Sequence, residues 1–177
     1  MRKLIEKRFI ILEKHYILNK NLIMVPAPDK EKTVRFFLPE GVWTNFHTGK
    51  EYLGGNEIEE NAHATDMILL VRENSVIVER TGTDIHDERC ELRVYALRNN
   101  VRVDADVYDD DCGVPALSVS FKRNGHSIHI ASDGAKLYTV RMVNMYAKSA
   151  ANGLILIEGN DSVITPDARA CTMEIIF

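Results

Sequence analysis

The chain has 177 residues, which is enough for one ordinary domain or two small ones with a real hydrophobic core. Hydrophobic residues make up 45% of it and charged residues 27%, which excludes a disordered, collagen-like or coiled-coil chain. The net charge is −4 and no basic block could follow a phosphate backbone, so we expect no nucleic-acid partner.

Targeting signals and disulfides are not expected. No apolar run approaches the roughly 20 residues of a membrane helix, and the charged start of the chain does not fit a signal peptide. The three cysteines are odd in number and lack C-x-x-C spacing, which indicates reduced thiols: Cys90, Cys112 and Cys171. We therefore expect a soluble, cytoplasmic protein with no membrane partner.

From about residue 33 onward the hydrophobic pattern has a period of two. In residues 101–108 every odd position is apolar, while Arg102, Asp104 and Asp106 point to the other face. The pair Asn124-Gly125 separates two such segments and predicts a hairpin with a type I′ turn. Turn residues recur between the short strands, so the sequence predicts a mainly β fold built as antiparallel β-sandwich modules.

The start of the chain has a different pattern. Its apolar residues are spaced three to four apart, which favours a short amphipathic helix in the first 20 residues: Ile5, Phe9, Leu12 and Tyr16. Residues 22–25 form an apolar run that ends at Pro26 and predicts a buried strand. The polar stretch 81–88 is the predicted boundary between two β modules.

No motif for nucleophilic catalysis or cofactor binding is present. There is no G-x-S-x-G elbow, and Gly54-Gly55 is followed by neither a Lys-Ser pair nor a helix start, so a turn is favoured there. Of the six histidines only His126 and His129 are close, and a separation of three on a strand puts them on opposite faces. We therefore predict no catalytic residue, no cofactor and no metal site.

An acidic run is the most conspicuous charge cluster, with Asp104 and Asp106 on a strand and aspartates at 109, 110 and 111. Its spacing does not match an EF-hand loop, and a turn between strands is the simpler interpretation. A paired-carboxylate hydrolase here is a third hypothesis, but adjacent turn aspartates splay into solvent instead of flanking a substrate.

The single tryptophan suggests sugar binding, because aromatic faces stack on pyranose rings and Trp43 lies within ten residues of Phe46 and Tyr52. Trp43 is thus the one candidate sugar-platform residue. The alternative is that Trp43 belongs to the core or to a contact between modules, since large aromatics supply much of a small core.

Three segments resemble glycoside hydrolase family 31, which includes α-glucosidases and α-xylosidases. The run LPEGVWTNFHTG at residues 38–49, followed by Gly54-Gly55, is similar to the segment just after the catalytic barrel of that family. Residues 22–28 and the run ILLVRENSVI at residues 68–77 resemble flanking stretches, and the latter favours the α-xylosidase branch. The chain departs from the family pattern at Asn19, Lys20, Met67 and Glu73.

The resemblance implies a domain order: an N-terminal barrel-end segment at residues 1–28, a proximal C-terminal β domain at 29–84 and a distal C-terminal β-sandwich at 85–177. It also implies a non-catalytic role, because the two catalytic aspartates of the family lie on a barrel that needs roughly 200 residues or more and lies upstream. The expected function is to brace that barrel, with the barrel as partner or self-association through an exposed apolar face. An independent carbohydrate-binding module is the alternative.

Overall fold

The structure is a computed structural model that describes residues 16–18, 21–26, 33–61, 67–81, 89–109, 113–133, 136–167 and 170–177. The chain divides into two compact units, Met1–Glu73 and Asn74–Phe177. All regular structure in the described residues is β, which confirms the predicted mainly β class. No helix in this part of the chain is long and apolar enough to cross a membrane.

The first unit contains two antiparallel sheets. Its strands are β1 (Tyr16–Leu18), β2 (Leu22–Pro26), β3 (Thr33–Leu38), β4 (Val42–Asn45), β5 (Glu51–Leu53), β6 (Asn56–Asn61) and β7 (Met67–Arg72). The larger sheet has the order β1-β2-β7-β4-β5, and β3 pairs with β6 in the smaller one. Strand β3 shows the predicted alternation of buried and more exposed side chains, since Val34, Phe36 and Leu38 are buried. These side chains join residues of β2, β4 and β7 in the core of the unit.

The second unit is a sandwich of two five-stranded sheets. Its strands are β8 (Ser75–Arg80), β9 (Cys90–Tyr95), β10 (Arg102–Val107), β11 (Leu117–Asn124), β12 (Ser127–Ser132), β13 (Tyr138–Val143), β14 (Ser149–Ala151), β15 (Gly153–Glu158), β16 (Asp161–Pro166) and β17 (Thr172–Ile176). One sheet has the order β10-β11-β12-β17-β14 and the other β15-β16-β13-β9-β8. Alternate residues of both sheets meet in one core, for example Leu92, Phe121 and Ile164.

The hairpin predicted at Asn124-Gly125 is confirmed, but its turn is displaced by one residue. Asn124 pairs with Ser127, so the two loop residues are Gly125 and His126. Gly125 has a φ of +59°, which fits a type II′ turn with glycine at the first central position instead of the predicted type I′ turn.

One strand pair departs from the antiparallel prediction. Within the described residues, β9 and β13 are parallel, with Leu92 opposite Val140, while every other pair is antiparallel. The reason is topological, because the chain crosses to the other sheet after β9, forms β10, β11 and β12 there, and returns in the same direction as β13.

The helix predicted for the first 20 residues is wrong at Tyr16–Leu18, which forms strand β1. This segment is a strand because it pairs with β2, and strand pairing overrides the local spacing of three to four. The rest of that prediction, residues 1–15 and 19–20, lies outside the described residues. The domain limits predicted at residues 28 and 84 also fall in stretches outside the described residues and stay predictions.

Candidate functional site

Trp43, the predicted sugar platform, lies in the core of the first unit. Its side chain is only 1% exposed, and its Nε1 donates a hydrogen bond of 2.8 Å to the carbonyl of Pro39. The guanidinium carbon of Arg72 lies 5.7 Å from the ring centroid, a distance suited to a cation–π interaction. The ring thus has the core position of the alternative interpretation, and a sugar could stack on it only if this part of the unit opened.

Two glycines allow the Trp43 hairpin to close. The amide of Gly54 donates to the carbonyl of Gly41 at 2.8 Å and that of Gly55 to the carbonyl of Leu38 at 2.7 Å. A Cβ on Gly54 would lie 1.8 Å from the carbonyl oxygen of Pro39, and Gly55 has a φ of +89°. The motif at residues 38–55 is therefore a structural turn around a buried aromatic ring.

A buried phenol and a carboxylate connect the two sheets of the first unit. The hydroxyl of Tyr52 on β5 donates to Oε2 of Glu60 on β6, and Nζ of Lys50 donates to the same oxygen at 2.8 Å. Burial and the Glu60 carboxylate raise the pKa of Tyr52 above its ordinary range. Burial alone would raise the pKa of Glu60, but the hydrogen bonds from Lys50 and Tyr52 outweigh it and lower that pKa.

The structure places Asp104 and Asp106 along one open groove with Asp133, but the described aspartates of the acidic run have separate partners. Asp104 pairs with Arg102 at 2.9 Å, Asp106 accepts from the hydroxyl of Ser118 at 2.7 Å, and Asp109 pairs with Lys136. The aspartates at 110 and 111 lie outside the described residues. Each described aspartate of the run is thus held by a partner of its own, and the hydrolase hypothesis stays a prediction.

The two histidines that are close in sequence, His126 and His129, lie on different elements. His129 is exposed and its Nε2 lies 3.2 Å from Glu174 Oε1 on the neighbouring strand, whereas His126 lies in the turn. Nowhere in the described part of the chain do three histidine, cysteine or acidic side chains gather closely enough to hold a metal ion. Of the described cysteines, Cys90 and Cys171 form no disulfide, and burial raises the pKa of the Cys90 thiol.

A groove of about 500 Å³ lies on the outer face of the second unit's β15-β16-β13-β9-β8 sheet. We call it the Arg141 groove, and its charged lining residues include Glu91, Arg141 and Glu158. Arg141 on β13 donates to both carboxylate oxygens of Glu91, at 2.6 and 3.1 Å, and to Glu158 at 2.8 Å. It also reaches Asp161 at 3.4 Å.

The Arg141 groove holds its carboxylates in ion pairs. The hydrogen bonds that Arg141 donates to Glu91 and then to Glu158 raise the pKa of Arg141 although burial opposes the shift, so the guanidinium stays charged. A retaining glycosidase needs two carboxyl groups about 5 to 5.5 Å apart, one of them available as a nucleophile. Glu91 and Glu158 are instead bound to one guanidinium, which connects β9, β13 and the end of β15.

The Arg141 cluster was not predicted from the sequence, because its charged residues are single positions within apolar strands and form no dense run. A signal was present, since Glu91 stands between Cys90 and Leu92, and Arg141 between Val140 and Met142. Charged residues inside apolar strands need partners when buried. Their pairing could not be read from the sequence, because it depends on the parallel contact between β9 and β13.

Two family descriptions match adjoining parts of the chain. "Alpha-xylosidase YicI, C-terminal domain" matches residues 86–177, and "Glycosyl hydrolase family 31 C-terminal domain" matches residues 6–77. Comparison with the curated protein sequences gives no match.

The fold is similar to parts of several solved enzymes. A dextranase of family 31 from Flavobacterium johnsoniae, complexed with glucose, matches 94% of this chain with a TM-score of 0.77 and 15% identity. The cycloalternan-forming enzyme of Listeria monocytogenes matches 94% with a TM-score of 0.77 and 16% identity. The family 31 alpha-xylosidase of Xanthomonas citri matches 73% with a TM-score of 0.56 and 22% identity. The chain spans 27%, 19% and 16% of these three proteins, respectively.

Proposed function

The chain belongs to the family of the C-terminal domain of alpha-xylosidase YicI, within glycosyl hydrolase family 31, and from this premise we propose that it braces the catalytic barrel of such a glycosidase. In this proposal the 177 residues hydrolyse no glycoside alone. Binding to the barrel stabilises that body, and any activity on α-xylosides belongs to the assembled enzyme.

The observation that carries the proposal is the order of the two matches. The family 31 C-terminal domain at residues 6–77 is followed directly by the YicI C-terminal domain at 86–177, so two C-terminal modules stand in tandem. The geometry supports a scaffold, because each unit has its own core and the carboxylates of the Arg141 groove are bound to Arg141.

An activity assay combined with an immunoblot tests the proposal. The purified chain should release no aryl group from an aryl α-xyloside above the buffer blank. An antibody against the chain should detect, in source cells, either a larger polypeptide with α-xylosidase activity or a 177-residue chain that copurifies with a barrel-containing glycosidase. A 177-residue chain that copurifies with no glycosidase would contradict the bracing role.

The proposal includes a cytoplasmic location, which the absence of a disulfide at Cys90 and Cys171 supports. The same antibody, applied to fractionated cells, tests this location. Signal in an extracellular or membrane fraction would overturn the cytoplasmic location.

A further inference from the structure

We propose that strand β15 is a self-association edge, through which two copies of the chain pair antiparallel and join their five-stranded sheets into one ten-stranded sheet. The partner is a second copy of this chain. The inference concerns the second unit alone and does not rest on the barrel-bracing role, since a chain could brace a barrel as a monomer or as a dimer.

The first argument is the chemistry of β15. This strand is the outermost of the order β15-β16-β13-β9-β8 and pairs, among the described strands, with β16 on one side. Its sequence is Gly-Leu-Ile-Leu-Ile-Glu, with no proline or lysine. Leu154 is 73% exposed, Leu156 59% and Ile157 47%. Proteins usually protect a free strand edge with charge, proline or a covering element, and β15 has one charge, at its end.

The second argument is the contrast with the opposite edge of the same sheet. Strand β8 ends in Glu79 and Arg80, and Arg80 donates to the carbonyl of Tyr108, just after β10, at 3.1 Å. Glu79 also pairs with Arg93 at 3.3 Å. Edge β8 is therefore charged and held beside β10, whereas β15 presents leucines. The difference identifies β15 as the edge suited to strand addition.

The third argument is that β15 is complementary to itself. In an antiparallel pair centred on Ile155, each Leu154 lies opposite the other copy's Leu156. Each Glu158 then lies beyond the end of the other copy's β15, beside the turn that holds the uncharged Asn152. No like charges face each other in this register. Glu158 is already neutralised by Arg141 at 2.8 Å within its own chain, so a charged peptide would gain little there. A second copy supplies two further leucines, so four leucines lie together on one face of the joined sheet.

Sedimentation of the full 177-residue chain tests the pairing. The wild type should sediment as a dimer that dissociates on dilution. The double variant Leu154→Lys/Leu156→Lys places lysines opposite lysines and should weaken association at least about tenfold, since like charges directly opposite are destabilising. The matched control is Leu137→Lys, because Leu137 is 74% exposed and lies outside the strands of the unit. This substitution should leave the dimer intact.

A charge-swap mixture makes the test specific for β15. Leu154→Glu/Leu156→Glu should also be monomeric, while an equimolar mixture of the lysine and glutamate variants should form dimers, because each lysine then meets a glutamate. Independently of any variant, amide exchange in residues 153–158 of the wild type should slow as protein concentration rises. A wild type that stays monomeric, a lysine variant that dimerises normally, or β15 amides that are indifferent to concentration would each overturn the proposal.

Discussion

The indole Nε1 of Trp43 donates a 2.8 Å hydrogen bond to the carbonyl of Pro39, four residues earlier in the chain. This bond connects strand β4 to the first residue of the turn that precedes it, directly after β3. The side chain is buried under Arg72 and lies in the first unit's core. Because it is the only tryptophan of the chain, its fluorescence reports the unfolding of this unit alone.

Replacing Trp43 should destabilise the first unit. We expect Trp43→Ala to cost roughly 3–5 kcal/mol, from lost burial and the cavity left behind, and Trp43→Phe about 1–2 kcal/mol, because the carbonyl of Pro39 then lacks its donor. Hydrogen exchange of the β2 and β7 amides measures the stability of the first unit in both variants.

Titration of the wild type with xylosides and xyloglucan fragments tests the sugar-platform prediction. Saturable binding that Trp43→Phe abolishes without unfolding the unit would favour a carbohydrate-binding module.

Gly54→Ala should be more damaging than an ordinary glycine substitution. The new Cβ would lie 1.8 Å from the carbonyl oxygen of Pro39, so the backbone of the hairpin must shift. The matched control is Gly159→Ala, where φ is +60° and the Cβ would meet no atom within 4 Å, for a cost of roughly 1–2 kcal/mol from backbone strain alone. Trp43 fluorescence measures the first variant and far-UV circular dichroism the control. Equal losses would contradict the close contact.

Removing the guanidinium of Arg141 should destabilise the second unit strongly. Arg141→Met leaves the buried carboxylate of Glu91 without its bidentate partner, which we expect to cost roughly 3–5 kcal/mol. The control Arg102→Met removes an exposed pair with Asp104, whose contribution should stay below about 1 kcal/mol. Urea unfolding followed by far-UV circular dichroism compares them. A small loss in Arg141→Met would contradict this prediction and would mean that Arg93, whose Nε lies 3.5 Å from Glu91 Oε1, compensates the carboxylate.

The stability of the first unit should depend on pH through Glu60. The pKa of Glu60 is lowered in the folded chain from an ordinary value of 4.5. The stability that the ionised Glu60 contributes is therefore complete above about pH 4.5 and is lost as the pH falls through the folded pKa. Glu60→Gln should therefore be less stable than the wild type at pH 7, and the difference should shrink as the pH falls below 4.5. The control is Glu59→Gln on the same strand, which removes an exposed pair with Arg35. Trp43 fluorescence in urea at several pH values follows all three proteins.

The β class could be predicted from the sequence because the period of two reports directly which side chains are buried. The turn at Asn124-Gly125 shows where that information ends. Moving the turn by one residue keeps Phe121 on the inner face, so the alternation cannot choose between the two registers. Contacts from distant residues accompany the observed register: Asn99 Oδ1 accepts from Gly125 N at 2.6 Å, and Phe177 N donates to the carbonyl of His126 at 2.9 Å.

The candidate site was less predictable than the fold. Trp43 could be singled out by type and by its turn-rich surroundings, but its burial depends on β7, which brings Arg72 over the ring. The Arg141 cluster joins Glu91 and Arg141, which are far apart in sequence and meet through a parallel strand pair. Local patterns carry no information about that pairing, because it is set by the path of the chain between the two sheets.

The parallel pairing of β9 with β13 also determines the order in which strand pairs can form during synthesis. The β11–β12 hairpin can close as soon as its own residues leave the ribosome, whereas β9 must wait until Tyr138–Val143 has been synthesised. During that interval β9 is paired along one edge only, with β8, although its apolar side chains can already pack on β10, β11 and β12. Loop closure over such a distance also slows folding. Nascent chains are therefore most vulnerable to aggregation after β9 has been synthesised and before β13 is complete. The speed of translation through β10, β11 and β12 then influences the yield of folded protein.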